Sequence, residues 1–411
     1  MKKYYNRRQF IKTSSVALTG LSLPFLSNGF SLNKGSGSIN LGIIGTGDRG
    51  AWESYILSKT PGIDVIACCD TIPKHLQDGL ESAVKGAKGY KDYHKLLSNK
   101  NIDAVLIATP QHLHYEMAID ALEAGKDIIC EKTLTLNTQD ALKLYKAVKS
   151  SNSVFQVGYQ WQSSPLFNKI KKIIESGDLG KITHIRCNYN RNGNWRTPVK
   201  KPEMEKLINW RMYREFSGGL TAELCSHHIN VVNWFLNDLP SRITGVGGID
   251  YWKDGRETYD NVNLIFEYSD GVKATFQSGT TNAYEDVKMI FMGTEGTILI
   301  QKEEGQTAHF YSEKTRVSQI LEEQENSGID AISSATQKAW IKGEGIPITV
   351  ENNTLDDLET TRAMFMDFAN SVHERKEPIS NIENGKNVAI AVDLSIKAMD
   401  TGIAQLWKPE Y

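Results

Sequence analysis

A glycine-rich hexapeptide that follows a short apolar run constrains the fold of this chain more than any other feature. Residues 39–44 are apolar, the hexapeptide occupies residues 45–50, and a segment with helical spacing of apolar residues comes next. In such a unit the first glycine permits a tight turn, the second lets the backbone approach a pyrophosphate, and the third brings the helix close to the sheet. The helix start then faces the diphosphate with free N–H groups. The predicted cofactor contacts are Gly45, Thr46, Gly47, Arg49 and Gly50.

The next apolar run, residues 65–69, ends at Asp70, about 20 residues beyond Gly50. A carboxylate at that distance accepts hydrogen bonds from the ribose hydroxyls, and it repels a 2′-phosphate. The sequence therefore favours NAD over NADP.

Three further apolar runs, at residues 103–108, 127–130 and 154–158, alternate with helical segments. Near-continuous apolar strands that alternate with helices are typical of a parallel sheet buried on both faces. We predict an α/β chain with an N-terminal Rossmann NAD-binding domain over residues 39–158. A second, larger α/β domain is expected over residues 159–411.

The second domain shows the period-2 alternation of a large, open, mostly antiparallel sheet. Asp270-Gly271 is a hairpin signal between two of its strands. Residues 303–326 are polar and predict a surface excursion, and two amphipathic helices follow. The alternating segments are residues 243–248, 261–268, 272–278 and 287–292, and the helical ones are residues 360–373 and 387–399.

Composition excludes several function classes. The 411 residues carry 47 basic and 49 acidic side chains, a formal net charge of −2, so a general electrostatic footprint for nucleic acid is absent. A hydrophobic fraction of 40% excludes a disordered chain. The five cysteines show no CxxC spacing, and the pairs His112/His114 and His227/His228 lack the ligand spacing of a closed zinc site, so no metal is predicted.

The first residues resemble an export signal. A basic start precedes the weakly apolar run of residues 16–26, which is too short to cross a bilayer as a helix, since about 20 apolar residues are needed. Within this stretch, residues 6–12 (NRRQFIK) are similar to the twin-arginine motif. We therefore assign residues 1–38 to a signal and linker, name the twin-arginine export machinery as a partner, and expect a periplasmic or otherwise exported protein.

Two motifs in the first domain resemble the signature of the Gfo/Idh/MocA oxidoreductases, named for glucose–fructose oxidoreductase and inositol dehydrogenase. These are the Ala-Thr-Pro run of residues 108–110 with His114, and residues 124–132 (AGKDIICEK); residues 293–296 (GTEG) are similar to a turn in the family's second domain. The resemblance implies an NAD(P) domain followed by a substrate domain with an open sheet, and a homo-oligomer in which such sheets pair face to face. It also implies cofactor contacts from Thr109, Pro110, His114, Glu131 and Lys132.

Two departures from the family pattern stand out. The family's lysine is usually followed by proline, whereas Thr133 follows Lys132 here. A non-proline cis bond costs about 2.5–4 kcal/mol, so we expect a trans or strained bond and a different orientation of the lysine. In the second domain the family shows DxGxHxxD, where this chain has ELCSHHIN: Glu223 and His227 match the first acid and the histidine. Asn230 replaces the last acid and cannot transfer a proton.

Lys132 and His227 are the predicted catalytic residues. Lys132 stands at the carboxyl end of a parallel strand, where ligands bind in such sheets, and burial beside a cofactor would lower its pKa and suit it to proton transfer. His227 is favoured by the motif match and by the glycine pair that precedes it. Its neighbour His228 would point about 100° away on a helix, so only one of the two faces a common site.

Sugar recognition combines aromatic planes with fixed polar groups. Residues 159–162, 192–196 and 209–213 interleave aromatic residues with Arg, Asn and Gln, as a carbohydrate groove requires. Any single aromatic residue can instead pack in the core, so the prediction depends on the cluster. The predicted substrate-binding residues are Tyr159, Trp161, Trp195, Arg211, Tyr213, Glu223, His228 and Asn230.

Three functions remain open at this point. Outside the cytoplasm no NAD pool is maintained, so an exported enzyme must keep its cofactor tightly bound and regenerate it within each turnover. One hypothesis is an exported NAD-dependent oxidoreductase acting on a sugar or glycoside. A second is a glycosidase that oxidises a sugar carbon, eliminates the glycosidic substituent and returns the hydride, as in the related glycoside hydrolase family 109. A third is a non-catalytic NAD-binding protein, which Asn230 and Thr133 keep open.

Overall fold

The computed structural model describes residues 37–302, 307–313, 345–350 and 357–411. The predicted twin-arginine segment lies outside these ranges, so the signal and the exported location stay predictions. Within them, no helix combines the length and apolar character that a membrane crossing needs.

The first sheet has six parallel strands in the order β3-β2-β1-β4-β5-β6. Every residue of β4 and β5 is buried, because helices cover both faces of the sheet, and this explains the continuous apolar runs. The predicted Rossmann fold is confirmed. The strands are β1 (Ile39–Ile44), β2 (Ile63–Cys69), β3 (Lys88–Tyr90), β4 (Ala104–Ile107), β5 (Asp127–Cys130) and β6 (Phe155–Val157).

The second sheet has nine strands in the order β14-β13-β12-β11-β7-β10-β9-β8-β15. Only β7 and β10 pair in parallel; the other pairings are antiparallel, so the predicted mostly antiparallel sheet is confirmed. The strands are β7 (Ile182–Asn190), β8 (Arg242–Gly248), β9 (Asn261–Glu267), β10 (Lys273–Gly279), β11 (Val287–Gly293), β12 (Gly296–Gln301), β13 (Thr307–Ser312), β14 (Ile346–Pro347) and β15 (Gln405–Leu406).

Two local predictions in this sheet have different outcomes. The Asp270-Gly271 turn joins β9 to β10, with φ of 54° and 79° at its two residues, as predicted. The surface excursion predicted for residues 303–326 is wrong at β13, because Ala308 and Phe310 are buried against the neighbouring strand. The rest of that segment, apart from Glu313, lies outside the described residues.

Helices cover the sheets and connect them. The helices of the described ranges are α1 (Asp48–Leu57), α2 (Pro73–Glu81), α3 (Tyr93–Leu97), α4 (His114–Glu123), α5 (Thr138–Lys149), α6 (Pro165–Glu175), α7 (Glu205–Ile208), α8 (Ser226–Leu236), α9 (Asp357–Glu374) and α10 (Ile382–Thr401). Phe365 and Phe368 of α9 pack with Leu41 and Ile43 of the first sheet. Helix α10 lies between α5 and the second sheet, and its Asp393 accepts a 2.9 Å hydrogen bond from the Thr138 N–H. The chain therefore returns to the first sheet after building the second.

Candidate active site

The glycine-rich turn has the geometry that a diphosphate requires. Gly45 has φ of +88°, and a Cβ there would lie 2.7 Å from the Ala108 carbonyl oxygen. A Cβ on Gly50 would lie 2.0 Å from the carbonyl oxygen of Gly45, so only glycine lets α1 start this close to the turn. Gly47 caps α1 without a side-chain hydrogen bond, which leaves the N–H groups of the first turn facing outward. These N–H groups suit an anionic ligand.

Asp70 is placed to select the nucleotide. Its Oδ2 accepts a 2.9 Å hydrogen bond from the Thr46 N–H, and its Oδ1 accepts a 2.8 Å hydrogen bond from the Ile72 N–H. Both oxygens keep a second lone pair for the two ribose hydroxyls. The turn and this carboxylate together fit NAD, whose 2′-hydroxyl can donate where a 2′-phosphate would be repelled.

Arg49 turns inward rather than toward a phosphate. Its Nε and Nη2 donate to Glu131 Oε1 at 2.9 and 2.8 Å, and Nη2 lies 2.9 Å from Glu53 Oε1. Burial raises the pKa of Glu53 well above its usual value; burial acts on Glu131 in the same way, but Arg49, a hydrogen bond from Glu53 and the charge of Lys132 together outweigh it and lower the pKa of Glu131. Because Glu131 Oε2 also accepts from the Lys132 N–H, this cluster connects the glycine-rich turn to the end of β5.

The residues after β4 that were predicted to contact the cofactor form a loop held by hydrogen bonds within the protein. Pro110 precedes a 3₁₀ turn at residues 111–113. The buried His114 ring lies between two carbonyl oxygens, 2.9 Å from that of Thr109 and 3.1 Å from that of Thr133. Burial lowers the pKa of His114, so the neutral ring donates to one of the two at a time. His114 thus holds the loop against the residue that follows Lys132; its direct contact with a cofactor stays a prediction.

Lys132 and Thr133 bond to consecutive carbonyls of the second domain. Lys132 Nζ donates to the Glu223 carbonyl at 3.2 Å, and Thr133 Oγ1 donates to the Ala222 carbonyl at 2.9 Å. Both acceptors belong to a π-helical turn, residues 221–225, a geometry that often marks functional sites. The Lys132–Thr133 peptide bond is cis, so the predicted trans bond is wrong. The Thr133 hydroxyl makes an interdomain bond that proline cannot make.

Glu223 joins two cations through a single oxygen. Its Oε2 lies 3.6 Å from Lys132 Nζ and 3.0 Å from Arg211 Nε. Burial would raise the pKa of Glu223, but the two positive charges outweigh it and lower that pKa to about 2. Glu223 is therefore an ionised group that orients Lys132 from the side opposite Glu131.

His227 is neutral and its ring is available. It is 9% exposed and lies among aromatic rings, with centroids 6.0 Å from Tyr159 and 5.1 Å from Trp161. Burial, the charge of Lys132 and the neighbouring His228 lower the pKa of His227 well below its usual value. It makes no hydrogen bond with the residues that the structure describes, so its ring nitrogens can serve a substrate.

His228 lies deeper than His227. It is fully buried, its ring centroid is 5.5 Å from those of both Trp161 and Tyr189, and burial lowers its pKa to about 3. Asn230, 2% exposed, follows on the same helix. The complete burial of His228, against 9% exposure of His227, agrees with only one of the two histidines facing the cleft.

Buried neutral histidines make stability sensitive to acid. The folded pKa of His228, about 3, is below the unfolded value of about 6.5, so its contribution is complete above pH ~6.5 and is lost as pH falls toward 3. The loss amounts to about 1.4 kcal/mol per pH unit. We expect the urea midpoint to fall between pH 7 and pH 5, and less steeply in His228→Phe. An equal slope in both proteins would contradict this account, and the exposed His184→Gln serves as control.

The predicted substrate residues divide into two groups. Trp195, Arg211 and Glu223 line one pocket, together with Arg256 and Thr280. The other predicted aromatic residues are not among those that line this pocket. Trp161 and Tyr159 are buried beside the His227 ring, with Trp161 stacked 5.4 Å from Phe167, and the Tyr213 hydroxyl donates to Glu205 at 3.0 Å. The pocket therefore extends from Glu223, which pairs with Lys132, to Arg211 and Trp195.

Gln111 is a site residue that was not selected from the sequence. It is 2% exposed; its Nε2 donates to the Thr135 carbonyl at 2.8 Å, and its Oε1 accepts from the Gly218 N–H at 2.9 Å. It thereby fixes the loop after β4 to the glycine pair that precedes the π-helical turn. The available signal was its position inside the ATPQHLH run, next to residues already selected.

A dinucleotide cradle at the edge of a parallel sheet, facing a lysine and a histidine below a second sheet, defines an NAD-binding oxidoreductase with a separate substrate domain. Residues 39–159 match the oxidoreductase family with an NAD-binding Rossmann fold, and residues 167–299 match the GFO/IDH/MocA C-terminal domain. The chain belongs to the GFO/IDH/MocA family of oxidoreductases, and both the family and the NAD cofactor predicted from the sequence are confirmed.

Two relatives show the range of the family near this chain. The levoglucosan dehydrogenase of Pseudarthrobacter phenanthrenivorans is 28% identical over 298 residues, 65% of this chain and 74% of the relative. The 2,7-anhydro-N-acetylneuraminate hydratase of Mediterraneibacter gnavus is 27% identical over 289 residues, 66% and 72% of the two chains.

Solved structures share the fold. Levoglucosan dehydrogenase in complex with NADH and L-sorbose superposes with a TM-score of 0.73 at 21% identity, covering 90% of this chain and 99% of the other. The myo-inositol 2-dehydrogenase from Lactobacillus plantarum gives a TM-score of 0.70 at 21% identity, covering 90% and 100%. At this identity the likeness establishes the architecture and leaves the substrate open.

Proposed function

We propose that the chain is an exported NAD-dependent oxidoreductase that oxidises a hydroxyl-bearing carbon of a sugar or glycoside and keeps its cofactor bound. The observation that carries the proposal is the placement of Lys132, fixed by Glu223, close enough to His227 for its charge to act on that ring, which makes no hydrogen bond with the described residues. The names of two relatives, levoglucosan dehydrogenase and 2,7-anhydro-N-acetylneuraminate hydratase, support a carbohydrate substrate.

The residues divide the chemistry between them. The glycine-rich turn and Asp70 would hold NAD, which when bound would supply the hydride acceptor for the substrate carbon. The neutral His227 ring accepts the hydrogen bond and then the proton of the substrate hydroxyl. The Lys132 ammonium, held by Glu223, stabilises the negative charge that develops on the substrate oxygen. Asn230 can hydrogen-bond but cannot take the proton, so His227 is left as the acceptor.

Retention of NAD follows from the proposed location. An exported enzyme has no NAD pool from which to exchange, so each turnover must return the hydride. It can return to a second sugar, or to the same sugar after the glycosidic substituent has been eliminated. The second route would make the protein a redox-cycling glycosidase, and product analysis separates the two.

The test starts from purified protein. Nucleotide released on denaturation is identified, and the folded protein is then given free sugars and aryl glycosides. A stable keto-sugar supports the oxidoreductase, and release of the aglycone without net NADH supports the glycosidase. A protein that neither contains nor binds NAD, or that turns over none of these compounds, would refute the proposal.

The location is tested separately. We expect Arg7→Lys with Arg8→Lys to retain the protein in the cytoplasm while the unchanged chain is exported, as cell fractionation would show. If the variant and the unchanged protein divide between cytoplasmic and exported fractions in the same proportion, the segment is not a twin-arginine signal. Lys2→Gln with Lys3→Gln is a matched control, because it changes two cations outside the arginine pair.

A further inference from the structure

We propose that the pocket beside Lys132 selects an acidic sugar, and that Arg211 binds its carboxylate. This inference rests on the proposed function and names the substrate class of the same site. The guanidinium of Arg211 carries this inference. The protein holds the group in place, but only one of its three nitrogens donates a hydrogen bond to a described residue.

Arg211 is oriented from two sides. Its Nε donates to Glu223 Oε2 at 3.0 Å, and its guanidinium carbon lies 4.2 Å above the ring of Trp210. Within the described part of the chain, Nη1 and Nη2 have no hydrogen-bond partner, and the side chain is 42% exposed where it lines the pocket. An arginine fixed through Nε presents its two terminal nitrogens as a planar fork, the geometry that binds a carboxylate with two parallel hydrogen bonds.

Charge at the pocket is not balanced by the protein. Lys132 and Arg211 both pair with Oε2 of Glu223, so two cations share one carboxylate. An anionic substrate group would supply the missing charge. A neutral sugar would leave the excess in place.

The other arginines of this region do not offer the same opportunity. Arg256 lines the pocket, but its side chain is 3% exposed and is taken by Asp254 and the Asn194 carbonyl. Arg196 pairs with Glu205 and with Asp254, is not among the residues that line the pocket, and has the two nitrogens that make no hydrogen bond with described residues, Nε and Nη2, buried. These two arginines and two acids balance each other, so the unused donors that are exposed in the pocket belong to Arg211.

The experiment compares sugars that differ only at one carbon: glucose with glucuronate, galactose with galacturonate, and the corresponding methyl glycosides. Single-turnover reduction of bound NAD over a range of sugar concentrations gives the rate constant and the half-saturating concentration, and the shift in Tm on adding each sugar gives a second measure of binding. In the unchanged protein the ratio of rate constant to half-saturating concentration is expected to be about 10–100-fold higher for the acid than for its neutral partner in at least one pair. In Arg211→Gln this preference falls to about one, chiefly through the half-saturating concentration.

Further variants separate recognition from structure. Arg211→Lys keeps the charge without the fork and is expected to give an intermediate ratio. Arg242→Gln removes an exposed arginine on β8 and should leave the ratio unchanged.

Turnover of neutral sugars with no preference for acids overturns acid recognition while the proposed function stands. Acid binding that depends on Arg211, without turnover of any sugar, supports recognition and refutes the proposed function. Absence of both turnover and acid binding overturns both, and a preference for sugar phosphates over carboxylates would show a different anion.

Discussion

Replacing Lys132 with methionine lowers the rate at which bound sugar reduces NAD by about 10²–10⁴-fold, the usual contribution of a positioned group that handles a proton or its charge. Methionine keeps most of the side-chain length but removes the ammonium that Glu223 holds at 3.6 Å. The rate is measured as NADH formation in a single turnover, so that product release does not mask the chemical step.

The control for this variant is Lys143→Met, which removes a 60% exposed lysine from α5 of the same domain. It should leave the rate unchanged. Nucleotide content is compared between both variants and the unchanged protein, so that a loss of NAD is not mistaken for a loss of hydride transfer. A Lys132→Met protein that transfers hydride at the unchanged rate would exclude the role assigned to this residue.

The second large effect is expected for Gly50→Ala, which should abolish stable NAD binding. Its Cβ would lie 2.0 Å from the Gly45 carbonyl oxygen, a rigid backbone atom, so α1 must move away from the turn. Displacing the helix start by an ångström misplaces the N–H groups that face the diphosphate, a change of about 100-fold in a site of this kind. Nucleotide content after purification and titration with NAD measure the effect.

A matched clash elsewhere distinguishes cofactor loss from general instability. A Cβ on Gly293, at the end of β11, would lie 2.1 Å from the Leu179 carbonyl oxygen. Gly293→Ala should lower Tm to a similar degree but keep NAD, because the strain lies in the second sheet. If both variants lose nucleotide equally, the loss at Gly50 reflects unfolding rather than the geometry of the turn.

Sequence patterns predicted the strands in which apolar residues are continuous or alternate along most of the length. They missed strands that are marked by only two buried apolar residues among polar ones. Every position of β4 is buried, so it reads as a continuous apolar run. Strand β7 lies in the middle of the second sheet, yet its buried residues Ile185 and Cys187 alternate with His184, Arg186 and other polar side chains. That alternation is too weak to indicate a central strand, and β13 was missed for the same reason.

The sequence was enough to predict which residues form the site, but not which residues they contact. Lys132, Glu223 and His227 stand out through motif resemblance. The contact of Thr133 with Ala222 joins residues 89 positions apart, and that of Gln111 with Gly218 joins residues 107 apart. A single sequence carries no information on such pairs, because each depends on how the two sheets pack together around a shared core. The inward orientation of Arg49 is likewise set by Glu53 and Glu131, which only the folded chain brings together.

The hydrogen bonds of Lys132 and Thr133 to the π-helical turn also make the position of the lysine depend on the second domain. The turn accepts both bonds through two consecutive carbonyls, so any shift of this turn relative to β5 breaks or lengthens the two together. A substitution in the second domain that displaces the turn is therefore expected to move a lysine that lies 91 positions away in the sequence.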